Sequence, residues 1–549
     1  MHTTMTSPRW PRYVAALLGF TWFLQIGGGP TLNPWHAELI MSGDWIQHWF
    51  GWLMFRREPW TFPLGTISGL PYPVGSNIGY TDSNPLVAIL LKPFSSVLPP
   101  EFQFIGLWLA CCFAMQGYMG AALTSTVTKD ARQQLLGGYL FVLSPVLVAR
   151  IAHDTLCAQF LLLGLLYVGL REYADDRSAR RGLWMGAGFT VLAATIHPYL
   201  AAMCWVLSQA GFVRLWLARL VSFRAATVAA VGTTAGVIAV FGAIGYFGDT
   251  KTGASGFGQY SADLLTLVNP DQFSRALTRF RIPSEQWEGL GFLGLGGIVA
   301  VAIATVVFLR RRPALRAGTW AIAAACVAMA IFALSSDIKF AGHSVLSAHP
   351  IYDRLTAIST AFRASGRFVW PLHYLVLLFG IWGTTRILKA ANVAAGVTML
   401  AVVVALQATD FRMDSLWAPK DFRQVPVQDF ALAAGKYKHL ALAPMQIRGI
   451  CTPYTETFVY RYMLHAYRMR LTYNSGFFSR QSAPITTNAC DRFASDIKNG
   501  FLDQETIYVV APDFLPLFRQ ASAACGRVDG DWICVSRFSD EAFRTYLSK

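Results

Sequence analysis

Charged residues are scarce in this 549-residue chain: Asp, Glu, Lys and Arg together make up 14% of it, whereas 54% of the residues are hydrophobic. Globular proteins average about 25% charged residues, so the composition excludes an ordinary soluble protein. The apolar residues are grouped into runs, and a helix that crosses a bilayer needs about 17–25 such residues. The sequence therefore predicts a polytopic, all-α membrane protein.

About eleven apolar blocks reach spanning length once flanking residues are included. They are Tyr13–Gly29, Phe102–Leu123, Leu135–Ala149, Leu156–Leu170, Leu183–Ile196, Leu200–Leu215, Ala225–Phe247, Leu290–Leu309, Ala317–Leu334, Phe368–Leu388 and Val393–Ala408. Pro85–Leu98 is too short to span and is interrupted by Lys92 and Pro93, so we expect a re-entrant or interfacial segment there.

Acidic residues are fewer than basic ones, 31 against 46, which gives a net charge of +15. The basic residues concentrate in short loops such as Arg177–Arg181 and Arg310–Arg312. This is the positive-inside pattern of membrane proteins. The positive charge is therefore explained by the membrane topology, and we expect no nucleic-acid partner. We expect a bacterial plasma-membrane protein with a cytoplasmic N-terminus and, after an odd number of spans, an extracytoplasmic C-terminus.

The domain prediction is a transmembrane module at 1–408, with a large first outer loop at 30–102, and a small extracytoplasmic α/β domain at 409–549. In that tail, the short apolar runs His439–Ala443, Leu471–Tyr473, Thr506–Ala511 and Trp532–Ser536 predict strands. Thr457–Arg468 and Phe514–Ala524 predict helices between them. No glycine-rich phosphate loop follows any of these strands.

Cysteine is rare, with nine residues, and its distribution is uneven. Five cysteines lie in apolar blocks, where they suit packing. The tail holds the other four: Cys451, Cys490, Cys525 and Cys534. An even set in an oxidising compartment predicts two disulfides. Cys525 with Cys534 is the favoured pair, because Gly526, Asp529 and Gly530 between them suit a tight turn.

The first outer loop begins with Ser42–Phe55, a tryptophan-rich segment with a polar stripe that contains Asp44 and His48 one helical turn apart. This pattern predicts an amphipathic helix lying flat at the membrane interface. Asp44 is either a catalytic carboxylate or the helix N-cap, with Gln47 completing a capping box.

Other outer segments also offer acids and histidines near the expected membrane surface. Asp82 precedes the Pro85–Leu98 segment, where the alternative is a turn or cap residue, and the short outer turns contribute His153, Asp154 and His197. Arg363 and Arg367 are four residues apart, which places them on one helix face. Two guanidinium groups there suit either a phosphate or an interface anchor; Arg56 has the same two interpretations.

Together, Gly43–Gly65, Tyr80–Pro93, Thr195–Tyr199 and Phe362–Pro371 resemble the corresponding segments of the bacterial membrane proteins grouped as DUF6311. The arrangement of an inner N-terminus, a long first outer loop with an early Asp, about eleven spans and an outer C-terminal domain resembles the GT-C superfamily of membrane glycosyltransferases.

The GT-C resemblance implies transfer of a sugar from a polyprenyl-phosphate donor to a glycan, lipid or protein acceptor of the cell envelope. It implies that Asp44 acts as the loop carboxylate, with Asp82 and Asp154 as further acids and His48 as orienter or alternate base. Asp44 stands alone where many members carry a paired acidic motif, so the sequence leaves open whether a divalent cation takes part.

Two other classes of function fit part of the sequence. One is a transporter or flippase of lipid-linked saccharides, which would place charged residues and broken helices near the bilayer midplane. The other is a non-catalytic envelope assembly factor whose tail binds partners.

Overall fold

The structure is a computed structural model that describes residues 8–41, 43–248, 256–313, 317–387, 393–413, 424–447, 454–480 and 489–548. The chain forms two compact units. The helical unit comprises Met1–Pro34, Phe104–Val240 and Gly253–Ala418. The loop–tail unit comprises Trp35–Gln103, Phe241–Thr252 and Pro419–Lys549. The first outer loop therefore packs with the tail, whereas the predicted boundary at 408/409 grouped it with the membrane helices.

The helical unit is built mainly from helices, and 58% of the residues that the structure describes are helical. These helices are α1 Trp10–Phe23, α4 Ile105–Thr124, α5 Ala131–Val142, α6 Pro145–Val148, α7 Phe160–Leu170, α8 Asp176–Ala194, α9 Pro198–Leu217, α10 Phe223–Ile244, α11 Leu295–Arg311, α12 Thr319–Ala333, α13 His349–Tyr352, α14 Thr356–Ala361, α15 Trp370–Thr384 and α16 Val393–Asp410. A two-stranded antiparallel ribbon, β3 Asp337–Phe340 and β4 His343–Ser347, lies between α12 and α13.

Each of the eleven apolar blocks contains a helix, but the expected number of spans is not confirmed. Among the described residues, four helices are long and apolar enough to cross a membrane: α4, α9, α10 and α16. Several others, such as α7 and α12, are shorter apolar helices. The structure therefore supports a helical membrane protein with fewer helices of full spanning length than the sequence predicts.

Glycines allow α1 and α4 to pack at very short distance. A Cβ at Gly19 of α1 would overlap the carbonyl of Phe113, and a Cβ at Gly117 of α4 would overlap the carbonyl of Ala15. Helices in membranes associate through such small-residue contacts, because lipid provides little hydrophobic drive between them.

The loop–tail unit contains a five-stranded mixed sheet in the order β6-β5-β7-β9-β8. Its strands are β5 His439–Ala443, β6 Thr472–Tyr473, β7 Thr506–Val510, β8 Ala524–Val528 and β9 Asp531–Val535. β5 is parallel to β6 and β7, whereas β9 is antiparallel to β7 and β8. The helices are α17 Glu456–Met469, α18 Ala489–Lys498, α19 Leu515–Gln520 and α20 Glu541–Leu547. The predicted α/β tail and its four strands are confirmed, but the helix predicted to reach Ala524 ends at Gln520, and Ala524 begins β8.

The first loop contributes α2 Asp44–Phe55, α3 Pro85–Leu91 and a small ribbon of β1 Thr66–Ile67 and β2 Ser76–Asn77. Inside the unit this loop is bonded to the tail. The backbone N of Tyr473 donates to the Gly69 carbonyl at 2.9 Å, and the N of Tyr72 donates to the Tyr473 carbonyl at 2.8 Å. Arg468 forms an ion pair with Glu101 at 2.7 Å.

The amphipathic pattern predicted that helix α2 lies flat at the membrane interface. In the structure, α2 is instead buried in protein. Ten of its twelve residues are buried, and Phe50 stacks on Tyr460 of α17 with 5.5 Å between ring centroids. Beyond Asp44, the polar stripe is covered by protein, because a Cβ at Gly51 would overlap Thr81 and Ser83. The tryptophans of α2 therefore form part of a protein core.

Candidate functional site

Asp44 is the first residue of α2, and its side chain is exposed. The N-cap is Gly43, whose φ of +58° suits glycine, so the interpretation of Asp44 as the N-cap is wrong. Within the described part of the chain, no hydrogen bond or ion pair to the Asp44 carboxylate is present. Because α2 is held in a core, the carboxylate projects from a fixed support.

One turn further along α2, His48 is buried against the segment that carries Asp82. A side-chain nitrogen of His48 and a carboxylate oxygen of Asp82 lie within 4.8 Å of each other. The Ser83 hydroxyl donates to the His48 carbonyl, and Gln47 donates to the Thr81 carbonyl at 3.4 Å. The loop thus brings together two predicted site residues that are 34 positions apart in sequence, and it supplies donor types that divalent cations use.

Arg56 and Arg57 have structural partners. The guanidinium of Arg56 donates to four backbone carbonyls, those of Ser95, Leu98, Pro99 and Pro100, at 2.6–3.1 Å. Its hydrogen-bonding capacity is therefore used to hold the loop, which argues against the predicted phosphate role. The Arg57 guanidinium donates to the Tyr467 carbonyl and lies 3.4 Å from the centroid of the Tyr467 ring.

In the helical unit, the predicted site residues Arg363 and Arg367 lie near two residues that were not predicted, Arg150 and Glu288. We call these four residues the arginine cluster. Arg367 donates from Nε and Nη2 to the two oxygens of Glu288, both at 2.8 Å. Arg150 donates to the same carboxylate at 2.7 Å and to the Trp287 carbonyl at 2.8 Å. All three side chains are buried.

The electrostatics of this cluster favour the charged form of Glu288. Burial would raise the pKa of Glu288, but Arg367 and Arg150 outweigh it and lower the pKa to about 2. Burial lowers the pKa of Arg150 to about 10, and the nearby Glu288 carboxylate partly offsets this shift by raising the pKa. Three guanidinium groups face one carboxylate, so these four side chains carry an excess of positive charge.

Arg363 and Arg367 do not share a helix face, so that part of the prediction is wrong. Arg363 lies in a non-helical stretch, Arg367 lies in the 3-10 helix Ser365–Val369, and α15 begins only at Trp370. The two side chains differ in availability. The fork of Arg367 is fully engaged with Glu288, whereas Arg363 is half-buried, with its guanidinium 5.7 Å from the centroid of the Tyr260 ring.

The two short turns that carry His153 and His197 converge beside this cluster. The rings of His153 and His197 lie 5.5 Å apart, and His197 Nδ1 caps α9 by accepting from the backbone N of Tyr199 at 3.1 Å. The Tyr199 hydroxyl accepts from the N of Ala364 at 2.9 Å, and its ring lies 4.7 Å from the Arg367 guanidinium. Tyr199 therefore ties the histidine turns to the arginine segment.

Asp154 does not lie at the surface of its turn. It begins the 3-10 helix Asp154–Cys157 and is buried, and its carbonyl accepts from the Trp108 indole at 3.0 Å. This burial makes Asp154 a weaker candidate for contact with an acceptor than the exposed Asp44.

The predicted Cys525–Cys534 disulfide is present. The two cysteines face each other across the β8–β9 hairpin, 4.1 Å apart at Cα. Asp529 and Gly530, both with positive φ, form the turn. Cys451 and the side chain of Cys490 lie outside the described residues.

The chain has helices long and apolar enough to cross a membrane and a small C-terminal α/β domain. These features are consistent with the class of helical membrane proteins that carry a C-terminal domain. A family model described as "Domain of unknown function (DUF6311)" matches residues 16–412, and one described as "DUF6311 C-terminal domain" matches residues 429–536. The chain belongs to the DUF6311 family, as its resemblance predicted. No curated protein matches it.

Proposed function

We propose that this protein is a GT-C-type glycosyltransferase of the bacterial plasma membrane, which moves a sugar from a polyprenyl-phosphate donor to a cell-envelope acceptor on the outer face. The observation that carries the proposal is the excess positive charge of the arginine cluster. Buried charge is costly unless it is paired, so a cluster in which guanidinium groups outnumber carboxylates favours an anionic ligand. The phosphate of a lipid donor is such a ligand.

In this proposal, the Arg363 guanidinium binds the phosphate of the lipid donor. Arg367 is already bonded to Glu288, whereas Arg363 is only half-buried. Arg367 and Arg150 fix Glu288 and the segment around Arg363, and they add positive potential. A guanidinium binds a phosphate through two parallel hydrogen bonds. The role of Arg367 changes accordingly from direct ligand to positioning residue.

Asp44 is the general base. It accepts the proton of an acceptor hydroxyl while the acceptor oxygen attacks the anomeric carbon. The bond between that carbon and the phosphate oxygen breaks, and polyprenyl phosphate leaves with the electron pair. Asp44 suits this task because it is exposed and stands at the start of a rigid helix. His48, on the next turn of α2, supports it as orienter, and Asp82, on the segment next to His48, is the second acid.

The tail disulfide supports the outer location, because disulfides persist in oxidising compartments and are rare in the cytoplasm. The Cys525–Cys534 bond lies in the same compact unit as α2. The bond therefore supports the proposal that the base lies on the outer side, where envelope acceptors are found.

The transporter alternative draws on polar groups within the bundle. The His373 ring bonds Ser144 at 2.9 Å and the Gly291 carbonyl at 2.8 Å, and Gln116 donates to Tyr374 at 3.0 Å. These groups bond one another, which is how polar side chains join membrane helices. The network favours a structural role, and glycosyl transfer stays the primary proposal.

The proposal is tested with the purified protein in liposomes and a panel of synthetic short-chain polyprenyl-phosphate sugars. The readout is donor loss with release of polyprenyl phosphate, measured by mass spectrometry with and without EDTA. Arg363→Lys keeps the charge but loses the fork, and we expect donor use to fall at least about tenfold. The matched control Arg281→Lys, an exposed residue before α11, retains wild-type turnover. Equal turnover in Arg363→Lys and wild type would remove Arg363 from the site.

A second outcome separates the rival functions. Movement of intact donor across the bilayer without release of polyprenyl phosphate supports the transporter. The assembly-factor reading predicts neither donor loss nor donor movement for any member of the panel.

A further inference from the structure

Helix α10 is the least buried of the four candidate spans among the described residues. It has 22 residues, and only 17% of its apolar window is buried within the protein. At 1.5 Å per residue it extends about 33 Å, which is enough to cross a hydrocarbon core of about 30 Å. The C-terminal turn of α10 therefore marks the boundary between the acyl chains and the headgroups.

The first loop is bonded to that turn. The backbone N of Leu64 donates to the Ala243 carbonyl at 2.7 Å, and the N of Gly65 donates to the Ile244 carbonyl at 3.2 Å. The Asn77 side chain donates to the same Ile244 carbonyl. The last carbonyls of a helix have no partner within the helix, so the loop satisfies them and is held at the depth where α10 ends.

The side chains beside these bonds are apolar and exposed. Phe62 is 78% exposed, and Trp60, Leu64 and Phe247 are exposed as well. Exposed aromatic clusters are unfavourable in water. Aromatic residues are enriched where the membrane meets water, at the level of the headgroups.

A second apolar segment adjoins Trp60. Lys92 is buried, with its ammonium 4.6 Å from the centroid of the Trp60 ring and 3.4 Å from the Pro59 carbonyl. Leu90 lies in α3, Phe94 ends the following 3-10 helix Lys92–Phe94, and Val97 lies in the turn after it; all three side chains are exposed. Because Lys92 is buried, its ammonium does not interrupt this exposed apolar face.

We propose that Trp60–Leu64, with Leu90, Phe94 and Val97 beside it, inserts into the headgroup–acyl boundary of the bilayer next to the end of α10. The partner is the lipid surface itself. This face anchors the loop–tail unit through the loop that also carries α2, and it replaces α2 as the interfacial element of the first loop. The inference rests on membrane insertion of α10 and does not depend on the proposed glycosyl transfer.

The test uses the full chain in nanodiscs with benzoylphenylalanine, a photo-crosslinking amino acid, in place of Phe62. The matched control carries it at Phe501, which is 71% exposed in the tail. Mass spectrometry after irradiation is expected to find phospholipid adducts at position 62 at least about tenfold more often than at 501. Equal lipid labelling at the two positions, absence of lipid adducts at 62, or adducts there with a second protein chain would each overturn the proposal. Correct insertion of both variants is verified by their resistance to carbonate extraction.

Discussion

Glu288 holds the arginine cluster together, since its carboxylate is bonded to both Arg150 and Arg367. The sequence analysis did not identify it. A signal was present, because an acid between Trp287 and Gly289, directly before an apolar block, needs a cationic partner near a membrane. Which arginine supplies that partner depends on chain reversals that residue spacing does not encode.

Glu288→Gln is expected to destabilise the protein by about 3–5 kcal/mol, the usual cost of leaving buried charges without their partner. The thermal unfolding midpoint of the purified protein measures this loss. Glu285→Gln is the matched control, because Glu285 lies in the same 3-10 helix and is exposed. Equal midpoints for the two variants would mean that Glu288 does not stabilise the cluster.

The pH dependence of this contribution follows from the lowered pKa of Glu288. Its pKa is about 2 in the folded protein and about 4.5 ordinarily. The stabilisation is therefore complete above about pH 5 and is lost as the pH falls from about 4.5 through 2. We expect the difference in midpoint between wild type and Glu288→Gln to be the same at pH 7 and pH 5, and smaller at pH 3. A difference that already shrinks between pH 7 and pH 5 would show that the carboxylate is not stabilised in this way.

Arg367→Lys and Arg363→Lys are expected to fail in different ways. Lysine at 367 loses the paired hydrogen bonds to Glu288, so we expect a stability loss of about 1–3 kcal/mol. Lysine at 363 breaks no ion pair in the described part of the chain, so the midpoint should stay near that of the wild type while donor use falls. The reverse pattern, with an unstable Arg363 variant and a stable Arg367 variant, would contradict these assignments.

At the level of elements, the sequence predicted helices and strands well where local patterns decide the outcome. The strand β5 matches its prediction residue for residue, because its run of apolar residues has turn signals on both sides. β8 was missed, since Ala524, Gly526 and Arg527 have low strand propensity. Pairing with β9 and the Cys525–Cys534 bond hold it in the sheet.

The surroundings of α2 were not predictable from its own residues. A polar stripe that contains Asp44, Gln47 and His48 is compatible with headgroups or with a covering protein segment. In the structure, the segment Thr81–Ser83 covers Gln47 and His48. In contrast, the start of α15 was available in the sequence, because Pro371 suits the first turn of a helix. That signal argued against placing Arg363 and Arg367 on one helix.

The β8–β9 hairpin allows a test of the disulfide. Replacing Cys525 and Cys534 together by serine should destabilise the loop–tail unit by about 2–4 kcal/mol. The change is measured as the midpoint of urea unfolding, with limited proteolysis of the tail as the probe of unfolding at each urea concentration. Cys111→Ala, which alters an exposed free cysteine, is the control. If the double variant unfolds at the wild-type urea concentration, the bridge does not stabilise the unit.

For the whole molecule, the positive-inside pattern predicts the orientation. Reporter fusions after Arg181 and Arg312 should report the cytoplasm, and fusions after Phe247 and at the C-terminus should report the outer side. A cytoplasmic C-terminus would contradict both the orientation and the outer location of Asp44.

The most direct measurement of the central claim compares Asp44→Asn with Asp176→Asn in the donor-release assay. Both acids are the first residue of a helix, so both substitutions remove the same favourable charge from a helix N-terminus, worth about 0.3–1 kcal/mol. Only Asp44 is the proposed base. We predict that Asp44→Asn inserts normally and loses at least about a hundredfold in release of polyprenyl phosphate, while Asp176→Asn keeps wild-type turnover. Full turnover in Asp44→Asn would contradict the account and move the search for the base to Asp82 and Asp154.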